Sequence, residues 1–183
     1  CSSDLDRTNS ISLSGVGIHH PGGDFKKIST YGNHLPSSTS WTNSDSNKEG
    51  AINAHWNIIF DETANGHSVT EGGSSGSPVF NQNKLIIGTL SGGNSSCKKP
   101  DGINLYGKMF YHWDKYSQAD TGRMDKWLDP IGSGVTSLNG MSQSGKEYNT
   151  SLQKPADVKA ALSSGNMIKI SWKEPVYKQV IGW

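Results

Sequence analysis

Apolar residues along this chain come in short runs that end at clusters of Gly, Pro, Asn, Asp and Ser. Examples are GVGIHH, AINAHWNIIF and NLYGKMFYHW. Runs of roughly 4 to 8 residues between such corners are typical of strands, because these corner residues favour turns. The clearest hairpin is FNQNKLIIGTL, where a polar Asn-Gln-Asn-Lys corner separates two apolar runs. The pattern therefore predicts an all-β, antiparallel fold, either a barrel or a sandwich.

One segment, DTGRMDKWLDP at 120–130, has a helical spacing instead. Asp120 or Thr121 can cap it, and Pro130 ends it. Three apolar residues share one face at i, i+3 and i+4, namely Met124, Trp127 and Leu128. We therefore expect a short helix here, with Trp127 in the core.

The pattern changes after residue 140. Residues 141–154 are polar without an apolar period, which predicts a linker. KPADVKAALSSGNMIKISWKEP then predicts two alternating strands around a Ser-Ser-Gly-Asn turn, and it resembles the opening of a fibronectin type III sandwich. We expect a β domain at 1–140, the linker at 141–154, and the first strands of a truncated β-sandwich module at 155–183.

Composition and charge limit the possible partners. The chain has 183 residues, of which 32% are hydrophobic, and its net charge is +1. This charge argues against a nucleic-acid partner, and we find no transmembrane run or signal peptide. Cys1 and Cys97 have no metal-like spacing, the acidic residues lack calcium spacing, and we expect neither metal nor cofactor. The polar, Ser- and Asn-rich composition favours an exported protein, and both ends of the chain look cut.

GGSSGSP, residues 72–78, carries the candidate chemistry. A nucleophilic serine needs a base, an open approach, and N–H donors aimed at the developing oxyanion. Glycines beside it allow a tight turn that leaves space for substrate. By composition alone a Gly/Ser surface loop is the simpler interpretation. The order of elements favours a nucleophile, because the loop leads directly into a strand, a hairpin and TLSGG.

The loop resembles the Gly-x-Ser-Gly-x-Pro nucleophile loop of trypsin-like serine proteases, and TEGGSSGSP is particularly similar to the lysyl endopeptidase branch. Three further stretches agree with that branch in order: GIHHPGGDFKKIS at 17–29, LSGGNSSC at 90–97 and WLDPIGSGVTSLNG at 127–140. The resemblance covers residues 5–140. It implies the second, C-terminal β-barrel of a double-barrel fold, with a short terminal helix.

The resemblance also implies roles for individual residues. Ser75 becomes the nucleophile, and the N–H groups of Gly73 and Ser75 form the oxyanion hole. The substrate backbone pairs with a strand at Ser91, Gly92 and Gly93. Two further residues belong to the specificity pocket: Asn104, where the branch carries an acidic residue, and Trp56 as a pocket wall.

The catalytic base is not expected in this chain. His19 and His20 lie in the family's His-His-Pro turn, and the other four histidines match no motif: His34, His55, His67 and His112. The resemblance places the catalytic His and Asp in an N-terminal half outside these residues. It also implies a disulfide from Cys97 to that half, with Cys1–Cys97 as the alternative; from the residues alone, either cysteine can also stay free.

Two functions remain. The first is a secreted or cell-surface serine endopeptidase that cleaves protein or peptide substrates through an acyl-enzyme on Ser75, nearly inactive as this chain alone. Asn104 then weakens the lysine preference, because an amide cannot compensate a buried ammonium. The second is a non-catalytic, protease-like binding or adhesion remnant, favoured by Asn104 and the absent base.

Overall fold

The computed structural model describes residues 4–43, 48–116, 119–138, 156–163 and 167–173. The strands are β1 (Leu5–Asp6), β2 (Gly15–His19), β3 (Lys27–Tyr31), β4 (Ser37–Thr39), β5 (Thr42–Asn43), β6 (Lys48–Glu49), β7 (His55–Ile58), β8 (Glu62–Thr63), β9 (Gly66–His67), β10 (Pro78–Asn81), β11 (Ile86–Gly93), β12 (Asn104–Lys108), β13 (Ser137–Leu138), β14 (Ala156–Ser163) and β15 (Met167–Lys173). The helices are α1 (Met109–Asp114) and α2 (Asp125–Leu128), with 3₁₀ turns at Pro21–Gly23 and Asp120–Gly122. Neither α1 nor α2 is long and apolar enough to cross a membrane.

The main sheet has the strand order β3-β2-β10-β11-β12-β7-β4, and all neighbours in this path are antiparallel. β1 adds a parallel bridge to β11 at Leu5 and pairs with β13. The predicted all-β, antiparallel class is confirmed. Within the described residues β3 and β4 are edge strands, so this sheet is open and does not close into the expected barrel.

The core lies against one face of this sheet. In β7, Trp56 and Ile58 are buried, whereas the alternate residues His55 and Asn57 are half-buried on the other face. The other members of the cluster are Tyr31, Phe60, Val79, Ile87, Leu90 and Tyr106. Along β7, period-2 alternation thus decides which side chains face the core.

The predicted FNQNKLIIGTL hairpin is present as β10 and β11. Its turn is built on Asn81, whose side-chain oxygen accepts the backbone N–H groups of Asn83 at 2.9 Å and Leu85 at 3.1 Å. Lys84 takes a positive φ of 65° in this turn. The hairpin fixes Pro78, the first residue after the Gly/Ser loop, at the start of β10.

Two local predictions are wrong. The NLYGKMFYHW segment is a strand only up to Lys108, after which α1 begins. Met109 and Trp113 are buried at i and i+4, which is a helical spacing that a continuous apolar run conceals. Trp127 is not in the core: α2 has only four residues, and Trp127 is 70% exposed. Apolar spacing marks a helix face but does not supply the surface that would cover it.

β14 and β15 form a separate antiparallel pair with Leu162 opposite Ile168 and Ser163 opposite Met167. The predicted alternating strands are therefore present. The linker at 141–154 lies outside the described residues, as do residues 174–183. The fibronectin type III-like assignment and the domain boundaries stay predictions.

Candidate active site

The Gly/Ser loop folds as two tight turns that leave Ser75 exposed at the tip. The Ser74 N–H donates to the Glu71 carbonyl at 3.0 Å, and the Ser77 N–H donates to the Ser74 carbonyl at 3.1 Å. Gly73 and Gly76 take positive φ angles of 97° and 81°, a region that only glycine enters without strain. The glycines on both sides of Ser75 are therefore required by the backbone.

Not every backbone donor in this loop has an acceptor. The Gly76 N–H is bonded to the Leu90 carbonyl at 2.8 Å, and those of Ser74 and Ser77 are bonded within the loop. Among the described residues, the N–H groups of Gly73 and Ser75 have no acceptor. Gly73 and Ser75 therefore offer free N–H donors in the loop that carries the exposed Ser75, and free donors are what an oxyanion hole requires.

A pocket of about 400 Å³ opens beside this loop. Loop residues Gly73 to Pro78 form one side. The end of β2 and the turn after it form the other side, through Ile18, His19, His20 and Lys26. The candidate nucleophile thus lies in a cleft with a partly basic rim.

None of the six histidines of the chain bonds to Ser75. His19 contacts Ser74 and Ser29, and His20 contacts the Asp24 carbonyl. The remaining four contact other groups: His34 lies near Asp61, His55 bonds to Ser91, His67 to the Phe60 carbonyl, and His112 packs on Tyr116. Within the described residues, therefore, each histidine side chain contacts a group other than the Ser75 hydroxyl.

Ser91, Gly92 and Gly93 form the end of β11, where one edge is unpaired. β12 pairs with β11 through Gly93, whereas β10 pairs with it only as far as Thr89. The last contact on that second side is between Leu90 and the loop, where the Leu90 N–H donates to the Ser77 carbonyl at 2.9 Å. Past Leu90, within the described residues, this edge is open to an added strand.

A histidine and a tryptophan lie against this strand end, and our sequence analysis assigned neither to the site. The His55 Nε2 lies 3.0 Å from the Ser91 hydroxyl, and the His55 and Trp41 rings are 6.0 Å apart. Trp41 also occupies the space beside Gly92, because a Cβ there would lie 2.6 Å from the indole. Burial is the main cause that lowers the pKa of His55, assisted by the charges of His112 and Lys108.

Trp56, predicted as the pocket wall, lies in the core with 1% of its surface exposed. Its indole N–H donates to the Ile87 carbonyl at 3.3 Å, and the ammonium of the buried Lys108 lies 3.9 Å from the ring centroid. Trp41 is the tryptophan beside the candidate substrate strand. No pattern in the sequence around Trp41 indicated this, because the contact is made across the sheet.

Asn104, predicted at the pocket base, is 1% exposed, and all its polar atoms are used. Its Nδ2 donates to the Ile58 carbonyl at 3.0 Å and the Gly102 carbonyl at 3.3 Å. Its Oδ1 accepts the hydroxyl groups of Thr70 and Ser95. Asn104 therefore joins β12 to the segment before the nucleophile loop, and no polar atom of its side chain remains for a ligand.

The family model for the lysyl endopeptidase C-terminal domain matches residues 4–107, more than half of the chain. This chain belongs to that family. The matched region contains Ser75, Gly73, the strand end at 91–93 and Asn104, so the geometry above is that of a lysyl endopeptidase C-terminal domain. The sequence-based assignment to this protease-related family is confirmed. The trypsin-like barrel, the roles of individual residues and the disulfide of Cys97 stay predictions; Cys97 is exposed, and Cys1 lies outside the described residues.

Proposed function

We propose that this chain is the C-terminal part of a serine endopeptidase in which Ser75 attacks the scissile carbonyl. The observation that carries the proposal is the pair of unpaired N–H groups, on Gly73 and Ser75, beside an exposed hydroxyl. They would donate to the oxyanion of the tetrahedral intermediate, and removal of one such donor typically costs about 10² to 10³ in rate. The acyl-enzyme on Ser75 is then hydrolysed by water.

The catalytic His and Asp come from an N-terminal half of the protease. Its histidine takes the Ser75 proton during attack and returns it to the leaving amine, and its aspartate orients that histidine. All six histidines of the chain contact groups other than Ser75, which supports a catalytic histidine from the N-terminal half. By itself the chain is then nearly inactive, since a general base contributes about 10² to 10⁴ in rate.

A protein or peptide substrate is held in extended form along β11. Its backbone pairs with Ser91, Gly92 and Gly93 at the edge that β10 leaves open. Trp41 takes the wall role that we predicted for Trp56, because it lies beside Gly92. Asn104 offers no carboxylate to a lysine ammonium, so we propose a weakened lysine preference. As in other lysyl endopeptidases, the site of action is outside the cell or at its surface.

A fluorophosphonate probe tests the proposal, because it reacts only with an activated serine. We expect the protein that carries its N-terminal half to be labelled, and Ser75→Ala to abolish labelling. Ser77→Ala is the matched control in the same loop, and it retains labelling. We expect the 183-residue chain alone to react at least about a hundredfold more slowly.

The binding or adhesion remnant is the alternative, favoured by the saturated side chain of Asn104. This alternative predicts that the probe labels Ser75 in no form of the protein. Our proposal would also be contradicted if the protein with its N-terminal half were labelled and Ser75→Ala did not remove the label.

A further inference from the structure

The turn after β2 belongs to a motif, GIHHPGGDFKKIS, to which the proposed chemistry gives no role. This turn is packed against the nucleophile loop. The Gly22 N–H donates to the Gly72 carbonyl at 2.8 Å. A Cβ at Gly73 would lie 2.9 Å from both the Gly23 nitrogen and the His20 carbonyl oxygen, so the two backbones are as close as glycine permits.

The first of these contacts orients one oxyanion donor. In a trans peptide the N–H points away from the C=O of the same unit. Because the Gly72 carbonyl points at the Gly22 N–H, the N–H of Gly73 points away from the turn. The hydrogen bond across the turn therefore sets the direction of the first free donor.

His19 acts on the second donor through Ser74. The imidazole is 1% exposed and stacks on Phe60 at an interplanar angle of 9°. Its Nδ1 lies 3.2 Å from the Ser74 hydroxyl and its Nε2 lies 2.5 Å from the Ser29 hydroxyl. Ser74 is itself buried, and its carbonyl carbon belongs to the peptide unit whose N–H is that of Ser75.

We propose that the turn at residues 19–23 is the template that aims both oxyanion donors, and that His19 is a positioning residue that fixes the Ser74–Ser75 peptide through the Ser74 hydroxyl. The proposal rests on the proposed function only for what the two donors bind. His19 touches no reacting atom. Through its contacts with Ser29 in β3 and Ser74 in the loop, His19 holds the loop in a fixed position relative to β2 and β3.

The charge state of His19 suits this role. Burial, with a smaller contribution from His20, lowers its pKa below the usual 6.5. A neutral imidazole donates at one nitrogen and accepts at the other, and each serine hydroxyl can do either, so both contacts are satisfied without a buried charge. A purely apolar residue of similar size would keep the stacking on Phe60 and lose both contacts.

Two substitutions separate the two nitrogens. His19→Asn places a polar atom where Nδ1 lies and keeps the contact with Ser74. His19→Gln places a polar atom where Nε2 lies and keeps only the contact with Ser29. Both lose the ring, so the loss of packing on Phe60 is matched between them.

Amide hydrogen exchange of the full chain, resolved by NMR, measures the outcome. In His19→Gln we expect the amides of Ser74, Gly76 and Ser77 to exchange about fivefold faster relative to the β12 amides than in His19→Asn. Equal ratios in the two variants would overturn the proposal, because they would reduce His19 to a packing residue.

A second pair serves if either histidine variant does not fold. Ser74→Ala removes the hydroxyl that links His19 to the loop, and Ser29→Ala removes the other one. We expect faster exchange of Gly76 and Ser77 only in Ser74→Ala, and the same effect in both variants would contradict us. Hydrogen exchange does not depend on activity, so the two hypotheses can fail separately. If the variants differ in exchange but the fluorophosphonate probe does not label Ser75, only the proposed function is refuted. If the variants exchange equally but Ser75 is labelled, only this inference is refuted.

Discussion

Gly73→Ala provides the sharpest test of the loop geometry, because two separate penalties act at this residue. Its φ of 97° lies in the region that an alanine enters at a cost of about 1–2 kcal/mol. The new Cβ would also lie 2.9 Å from backbone atoms of Gly23 and His20, which cannot rotate away as a side chain would. Such overpacking costs about 1–3 kcal/mol. We therefore expect Gly73→Ala to lower the free energy of unfolding by about 2–5 kcal/mol.

Two glycines in the same loop separate these penalties. Gly76 has a φ of 81° but no atom within 4 Å of a built Cβ, so Gly76→Ala carries only the conformational cost of about 1–2 kcal/mol. Gly72 has neither a positive φ nor a neighbour within 4 Å. Gly72→Ala should be neutral, or stabilising by about 0.4–1 kcal/mol, because it restricts only the unfolded chain.

Urea unfolding followed by tryptophan fluorescence gives the three values from the midpoints, with the slope m checked for constancy. The expected order of stability is Gly72→Ala, then Gly76→Ala, then Gly73→Ala. If the free energies of unfolding of Gly73→Ala and Gly76→Ala differ by less than about 0.5 kcal/mol, the turn after β2 is not in tight contact with the loop. The close packing of the turn against Gly73 would then be refuted.

Three further predictions concern stability and the strand end. Burial lowers the pKa of His19, His55 and His112 below 6.5, so the unfolded chain takes up protons first as the pH falls. Thermal scans should therefore show constant stability above the unfolded-state pKa of 6.5 and a progressive loss below it. A constant midpoint would contradict the lowered pKa of these three histidines. Asn104→Asp turns two donated hydrogen bonds into repulsions between the carboxylate and carbonyl oxygens. Urea unfolding should show that the free energy of unfolding falls by about 2–4 kcal/mol at pH 7 and by less at pH 4, where the carboxylate takes up a proton. An equal fall at both pH values would refute the assigned contacts. Gly92→Ala should displace the Trp41 indole and change the fluorescence of that ring. In a Trp41→Ala background, Gly92→Ala should no longer lower the free energy of unfolding. An unchanged loss in this double-mutant cycle would contradict the contact between Gly92 and Trp41.

The sequence predicted those parts of the fold that depend on local chemistry. The β10–β11 hairpin follows from a polar corner between two apolar runs, and its turn is stabilised by Asn81 as such corners are. The residue types of the Gly/Ser loop indicated a tight turn, and Gly73 and Gly76 do take positive φ angles there. Trp56 was predicted as a pocket wall, whereas the structure places it with Ile58 on the buried face of β7.

The parts that the sequence did not predict depend on contacts between distant segments. His19 and Ser74 are 55 residues apart, and no local pattern pairs them. Trp41 reaches Gly92 across the sheet, and Asn104 is bonded to Thr70, Ser95 and Ile58 at once. The start of α1 inside an apolar run was missed for a different reason: a strand and a buried helix give similar short apolar segments.

Three features of the described residues lack a complement, and they lie close together. The donors of Gly73 and Ser75 have no acceptor, the edge of β11 past Leu90 has no partner strand, and the Ser75 hydroxyl has no base. The bond from the Gly76 N–H to the Leu90 carbonyl joins the loop to the residue before that open edge. One extended peptide would satisfy the edge and, through its scissile carbonyl, both donors. It cannot supply the base, because a peptide group does not accept a proton at neutral pH. If Ser75 is the nucleophile that we propose, substrate and base come from two different sources, and the chain would then carry half of a catalytic site.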